Sequence, residues 1–186
     1  MRNSEKKIPS ILHLLQEALK EEDFESTLQA PDAEAPLERL VLPVAEDEGG
    51  EQYIMQMFVI DTLVPEDVGT EFDSTIKILQ VVVALPIELD PNHELDFMRL
   101  AFKINSYNPV GSFLVKYPTQ EVYFSKAILF DAENPDVNLL LESFFMIING
   151  LLMFGPMLGT AAKGGLNIDS FEDVFNEMEE AADEKP

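Results

Sequence analysis

The chain has 186 residues, of which 46% are hydrophobic and 25% charged, enough for one domain with its own core and too few for two. Twelve Lys and Arg against 35 Asp and Glu give a formal charge of -23, which would repel nucleic acid and anionic membrane surfaces. The absence of cysteine excludes disulfides, thiolate nucleophiles and Cys-ligated metals. No secretory signal is visible, and we expect a cytoplasmic protein.

Apolar periodicity predicts one helix and three strands in the first half of the chain. Apolar residues between Ile8 and Leu19 recur at three- and four-residue steps, which is typical of an amphipathic helix. An acidic segment with several prolines follows, and a short strand is expected within it at Leu37 to Val44. Further strands are predicted at Tyr53 to Ile60 and at Ile76 to Ile87. Because the last of these is apolar at nearly every position, we expect both of its faces to be buried.

A second helix and a hairpin are predicted next. Asp90 followed by Pro91 is typical of a helix start, because Asp caps free backbone N–H groups and Pro has none to satisfy. The helix is expected to run to about Ser106, with Leu95, Met98, Ala101, Phe102 and Asn105 on one side. Ser112 to Tyr117 and Glu121 to Phe130 have the lengths and the separation of two hairpin strands.

The last part of the chain predicts two more helices. A long apolar segment, Val137 to about Ala162, predicts a third helix. Ile168, Phe171, Val174 and Phe175 recur at helical spacing and predict a short acidic helix. We therefore predict one α+β domain over residues 1–165, with the order helix, three strands, helix, two strands, helix and an antiparallel sheet packed against the helices. Residues 166–186 are expected to form an acidic C-terminal helix and tail.

One local stretch carries a family resemblance. The second helix closes on Asn105, is followed by Asn108-Pro109-Val110-Gly111-Ser112-Phe113, and leads into a hairpin that ends in Val122-Tyr123-Phe124. Together with the element order over roughly residues 8 to 160, this resembles the type III secretion chaperone-like fold, in particular its YbjN-type domains. The resemblance implies a bacterial, cytoplasmic, frequently dimeric protein without known catalytic residues. Secretion chaperones of this fold are small acidic homodimers that hold an effector segment in extended form. The resemblance therefore implies a non-enzymatic chaperone-like or regulatory protein that binds a polypeptide partner.

Metal and nucleotide sites are not predicted. His13 and His93 lie on different predicted helices, and neither has a second histidine at ligand spacing. The acidic run at residues 46–48 lacks the spacing of a calcium loop. The segment from Gly155 to Gly165 lacks the Gly-Lys-Ser/Thr order of a phosphate loop. We expect no cofactor and no catalytic residue.

The distribution of charge suggests an interaction surface. Residues 97–126 hold one acid, Glu121, and the four bases Arg99, Lys103, Lys116 and Lys126, whereas residues 169–184 hold eight acids and no base. We hypothesise that the acidic terminal helix docks on this basic region, with Phe171 and Phe175 as apolar anchors, until a partner displaces it. The alternative is a solvated tail that keeps the chain soluble.

The third helix is the other candidate surface. Its apolar middle, residues 144–162, belongs in the core, in a dimer interface or in a membrane. The interruption at Gly155-Pro156 and the lack of flanking Lys and Arg clusters favour a core or dimer helix. Its candidate residues are Phe144, Phe145, Ile148, Leu152, Gly155 and Gly159. Two alternatives stay open: membrane association through this segment, and a small-molecule carrier or enzyme with a pocket between the sheet and the third helix.

Overall fold

The computed structural model describes residues 10–33, 35–47, 49–61, 75–171 and 173. Within these ranges the order of elements is α1 (Ile11–Glu21), β1 (Thr27–Gln29), β2 (Arg39–Glu46), β3 (Gln52–Asp61), β4 (Ile76–Ala84), α2 (Glu94–Tyr107), β5 (Ser112–Lys116), β6 (Glu121–Asp131) and α3 (Val137–Ala162). A further short helix begins at residue 168. The predicted α+β class is confirmed, with a six-stranded antiparallel sheet.

The sheet has the strand order β1-β2-β3-β4-β6-β5. Five of the six strands were predicted, and β1 was not. Its three residues are too few to show an alternating pattern, and it forms only by pairing with the start of β2, where Leu28 lies opposite Leu40. The first helix was predicted to begin at Ile8, which lies outside the described residues. Within them, Ser10 caps α1, its side chain accepting a hydrogen bond from the backbone N–H of His13.

The helices cover one face of the sheet. The strand residues buried under them alternate along each strand and include Leu40, Leu42, Met55, Met57, Leu79, Val81, Val83, Val122 and Phe124. α1 contributes Leu12, Leu15 and Leu19 to the same core. The expected burial of both faces of β4 is wrong. Leu79, Val81 and Val83 are buried, whereas Ile78 and Val82 belong to the alternate set of residues, which points to the other face, and are partly exposed.

The start of α2 differs from the prediction. The Asp90 carboxylate accepts hydrogen bonds from the backbone N–H of Asn92 and from its side-chain amide, both at 2.8 Å, and the chain makes a turn before the helix begins at Glu94. Asp90 therefore closes a turn and does not cap the helix. The buried side of α2 consists of Phe97, Leu100, Ala101 and Ile104. The opposite side leaves Leu95 and Phe102 64% and 79% exposed.

Asn105 fastens α2 to the edge strand β5. Its Nδ2 donates to the carbonyl oxygen of Phe113 at 2.9 Å, and its Oδ1 accepts from the N–H of Phe113 at 2.7 Å. These two bonds satisfy backbone groups on the outer edge of β5, which has no further strand beside it in the sheet order.

The hairpin strands β5 and β6 differ in length. β5 pairs only with the first part of β6, from Glu121 to Ser125. From Lys126 to Asp131, β6 pairs with β4 on one side, and no strand among the described residues pairs with it on the other. Half of β6 is therefore an edge strand.

Candidate functional site

The face of the sheet that points away from the helices, called the open face below, consists of alternate residues of five strands. Its central residues are Val41, Ile54, Gln56, Phe58, Ile60, Ile78, Gln80, Val82, Ala84, Leu114, Tyr123, Ser125, Ala127 and Leu129. None of them is charged, and nine of the fourteen are apolar or aromatic residues other than Ala. Leu129 is 67% exposed. Soluble monomeric proteins rarely expose an apolar patch of this kind, so the open face is a candidate interface.

Polar groups on the open face are few and partly satisfied within the sheet. The Gln80 Nε2 donates to Ser125 Oγ at 2.9 Å and to the carbonyl oxygen of Lys126 at 3.2 Å. Charged residues stand at the margin, where Lys116 forms an ion pair with Glu121 at 3.0 Å. The lysine also lowers the pKa of the Glu121 carboxyl, first by hydrogen bonding and then by its charge. An apolar centre with a polar rim is the usual anatomy of a protein interface.

The four predicted basic residues lie on different surfaces. Arg99 is on α2 and pairs with Asp96 at 3.4 Å, and the Lys103 ammonium lies 5.3 Å from the centre of the Tyr107 ring. Lys116 points to the open face, whereas Lys126 lies opposite Val81 and points to the helix-covered face. The sheet therefore separates Lys116 from α2, and only Arg99 and Lys103 share one element.

Phe171 lies close to the end of α2. Its side chain is fully buried, and its ring centre is 6.4 Å from that of Tyr107. The Asn167 side chain accepts a hydrogen bond from the N–H of Ser170 at 3.0 Å, as at the first turn of a helix. Phe175, the second predicted anchor, lies outside the described residues. The docking of the terminal helix as a whole stays a prediction.

The candidate residues of α3 divide between the core and the surface. Phe144, Ile148 and Gly155 are buried within the chain, and Phe145 and Gly159 are partly buried. Leu152 is 54% exposed. Three further α3 residues are also exposed: Leu139 (61%), Met146 (52%) and Met153 (46%). Within the described residues, α3 is the one helix long and apolar enough to cross a membrane, a test that the core helix of a soluble protein also passes.

A cavity lies between the sheet and α3. The alternative function of a small-molecule carrier or enzyme predicts a pocket at this place. Its volume is about 470 Å³, and Tyr53, Ile87, Gly155 and Lys163 are among the residues that line it. The acids Glu46, Asp47 and Glu88 line the same cavity. Burial, and then the Asp47 carboxylate, raise the pKa of Tyr53 above its ordinary value of 10.0. The phenol therefore stays neutral and serves packing against α3.

The histidines and the acidic run have structural partners. His13 Nδ1 lies 2.7 Å from the hydroxyl of Ser10, at the start of α1. His93 packs over Gly164, where an added Cβ would stand 2.4 Å from its ring. Asp47 Oδ1 accepts from the N–H groups of Gly49 and Glu51, each at 2.8 Å, and so closes the turn between β2 and β3. Among the described residues, no three His, Cys, Asp or Glu side chains group as metal ligands.

Comparisons with known proteins do not assign the chain to a family: neither protein-family models nor curated protein sequences give a match. The resemblance to YbjN-type domains stays a prediction. The open face is the surface that sequence reasoning missed. The sequence of β4 did indicate it, because apolar residues occupy both sides of this strand. In an antiparallel sheet the side that faces solvent is usually polar, so an apolar second side indicates a binding surface.

Proposed function

We propose that the chain is a non-enzymatic, chaperone-like or regulatory protein-binding domain that forms a homodimer and holds a partner polypeptide. The observation that carries the proposal is the open face, which is apolar, uncharged at its centre and covered by no described element. We assign this face to a second copy of the chain. The bacterial source and the cytoplasmic location implied by the resemblance stay predictions.

The size of the open face supports a second copy as its occupant. With strands about 4.8 Å apart and about 3.3 Å per residue, five strands and the eight paired positions of β3 and β4 span about 24 by 26 Å. Two such faces together bury about 1,200 Å², the lower limit for a specific and stable interface. We therefore expect a dimer that dissociates on dilution.

Charge also favours contact at this face. Each copy carries a net charge of -23, so any contact between charged surfaces adds short-range repulsion to the long-range repulsion of two acidic molecules. The centre of the open face has no formal charge to desolvate or to oppose a copy of itself. A contact that pairs this face with the same face of a second copy under a twofold rotation closes as a dimer and does not propagate.

The test of the proposal is the oligomeric state of two matched variants. Leu129→Glu places a carboxylate on the open face, and Leu139→Glu places one at a similarly exposed position on α3. We expect wild type and Leu139→Glu to show the mass of a dimer in light scattering, and Leu129→Glu to show that of a monomer. A monomeric wild type at every concentration, or dissociation by Leu139→Glu alone, would contradict the assignment of the open face.

Membrane association is the second candidate function, and one observation favours it. α3 exposes Leu139, Met146, Leu152 and Met153 to solvent, while its other side is packed in the core. Flotation of the chain with phosphatidylcholine vesicles tests it. Co-flotation that is lost in Leu139→Glu would support membrane association, and recovery of all the protein below the vesicles would exclude binding to this lipid.

A further inference from the structure

We propose that a cleft between the end of α2 and the middle of α3 binds an aliphatic side chain of the partner polypeptide together with a neighbouring backbone carbonyl group. The cleft has a volume of about 330 Å³, and Tyr107, Asn108, Met146, Gly150, Met153 and Phe154 are among its lining residues. It lies on the helix-covered side of the molecule, away from the open face. The inference rests on the proposed function, because it names the place where the partner polypeptide is held.

The floor of the cleft holds a buried hydrogen-bond donor. Asn108 is only 6% exposed, and among the described residues it is the one buried residue with a polar side chain apart from Tyr53. Its Oδ1 accepts a hydrogen bond from the N–H of Val110 at 3.1 Å, which fixes the orientation of the amide. Its Nδ2 has no acceptor among the described residues. A buried donor without an acceptor costs free energy, and a ligand that supplies the acceptor recovers it.

Gly150 leaves space beside this donor. A Cβ added at Gly150 would stand 3.8 Å from Asn108 Nδ2 and 3.7 Å from Oδ1, and no other side-chain atom lies within 4 Å of it. The position above Gly150 is therefore open, with the Asn108 amide as its neighbour. Because Nδ2 is itself buried, a carbonyl oxygen reaches it only when side chains that line the cleft move, as the unbranched Met146 and Met153 can.

The rim of the cleft suits an aliphatic side chain. Met146 and Met153 lie seven residues apart on the same side of α3 and are about half exposed. Methionine side chains are unbranched and polarizable, so they adapt to different apolar partners at low cost. All residues that line the cleft are uncharged, although the chain has a net charge of -23. A neutral, apolar group with one acceptor therefore fits better than an ion.

The volume limits the ligand to one or two residues of a polypeptide. Pockets for small molecules usually enclose about 300 to 1,000 Å³, and this cleft is at the lower limit. A leucine-sized side chain with its adjoining peptide group fills such a space. A nucleotide or a larger cofactor would extend beyond it.

N-acetyl-L-leucine methylamide is the probe for this site, because it has one aliphatic side chain and two carbonyl acceptors. Titration is followed by NMR at the side-chain amide protons of Asn108 and at the methyl groups of Met146 and Met153. For a ligand of this size we expect a dissociation constant of about 1 mM. Binding should shift one Asn108 Nδ2 proton downfield and should saturate.

Two glycine variants of α3 provide the matched comparison. Gly150→Ala places a methyl group beside the Asn108 amide without a clash, whereas Gly159→Ala meets nothing within 4 Å. Both keep the helix, since Ala favours helix more than Gly. We expect Gly150→Ala to weaken probe binding at least tenfold and Gly159→Ala to leave it unchanged.

The outcomes separate this inference from the proposed function. No saturable shift at Asn108, or equal binding by Gly150→Ala and wild type, would overturn the cleft. Shifts confined to residues of the open face would also overturn the cleft and leave protein binding by that face standing. If light scattering shows a monomer while the probe still binds at Asn108, the proposed dimer is contradicted and the proposed binding site in the cleft is supported.

Discussion

The phenol oxygen of Tyr53 on β3 lies against the backbone of Gly155 on α3, so closely that a Cβ at residue 155 would stand 2.6 Å from it. This contact sets how near the helix approaches the sheet. The small size of Gly155 therefore serves packing within one chain, because it lets the Tyr53 ring approach the backbone of α3.

Substitution of the two glycines should show this directly. Gly155→Ala forces the Tyr53 ring or the helix to move, and we expect it to lower the free energy of unfolding by about 2 kcal/mol. Gly159→Ala, which meets nothing within 4 Å, should raise it by up to about 1 kcal/mol through helix propensity. Urea unfolding of the two variants measures both. Equal effects of the two substitutions would mean that the contact with Tyr53 does not restrict α3.

Asn105 offers a second test of stability. Asn105→Ala removes both hydrogen bonds to the backbone of Phe113, and we expect a loss of about 2 kcal/mol, at about 1 kcal/mol for each bond. Hydrogen exchange should increase at the Phe113 amide more than at amides of the central strands β3 and β4. Uniformly faster exchange over the whole sheet would contradict a local role at the edge.

The stability of the fold should fall at alkaline pH because of Tyr53. Its pKa is raised in the folded chain, chiefly by burial, so its contribution is fully present below pH 10.0 and is lost as the pH rises through the folded value. Tyr53→Phe should therefore reduce the slope of stability against pH above 10.

Tyr117→Phe is the control for that experiment. The pKa of Tyr117 is also raised, but its cause is the hydrogen bond that the hydroxyl donates to the Glu94 carboxylate. Tyr117 is exposed at the surface, so its substitution should alter the alkaline slope much less than Tyr53→Phe. A larger effect of Tyr117→Phe would mean that the surface bond dominates.

Salt should strengthen the proposed dimer. Two copies of charge -23 repel each other, and the screening length falls from about 10 Å at 0.1 M salt to about 3 Å at 1 M. We expect the dissociation constant, measured by sedimentation equilibrium, to decrease several-fold as NaCl rises from low to high concentration. The opposite sign would indicate attraction between charged surfaces and would contradict contact through the uncharged open face.

The elements that could be predicted from sequence are those with an apolar pattern over many residues. α3 was predicted at Val137 to about Ala162, and the structure has it at Val137–Ala162, because a long apolar segment lies there before the Gly164-Gly165 break. In the structure the Asp136 side chain caps its start by accepting a hydrogen bond from the backbone N–H of Leu139. β1 could not be predicted, since three residues carry no period and the strand depends on β2. The start of α2 was misplaced because Asp90 can cap a helix or close a turn, and the local sequence suits both.

The candidate sites depend more on tertiary arrangement. The apolar residues of β4 were visible in sequence. Only the placement of α1, α2 and α3 on one face shows that Ile78 and Val82 belong to a surface that no described element covers. The unsatisfied amide of Asn108 could not be predicted at all. Whether Nδ2 finds an acceptor depends on α3, more than 40 residues further along the chain, where Gly150 provides none.

Because β5 is shorter than β6, part of β6 is an exposed edge, and the acidity of the chain protects this edge against aggregation. Within the part of the chain that the structure describes, the backbone N–H and C=O groups from Lys126 to Asp131 have no strand beside them on one side. Such an edge is a template for strand addition by other molecules. Repulsion between highly charged copies opposes that growth as long as the carboxylates are ionised. Near pH 4, where they take up protons, the same edge becomes the place at which we expect the protein to begin to aggregate.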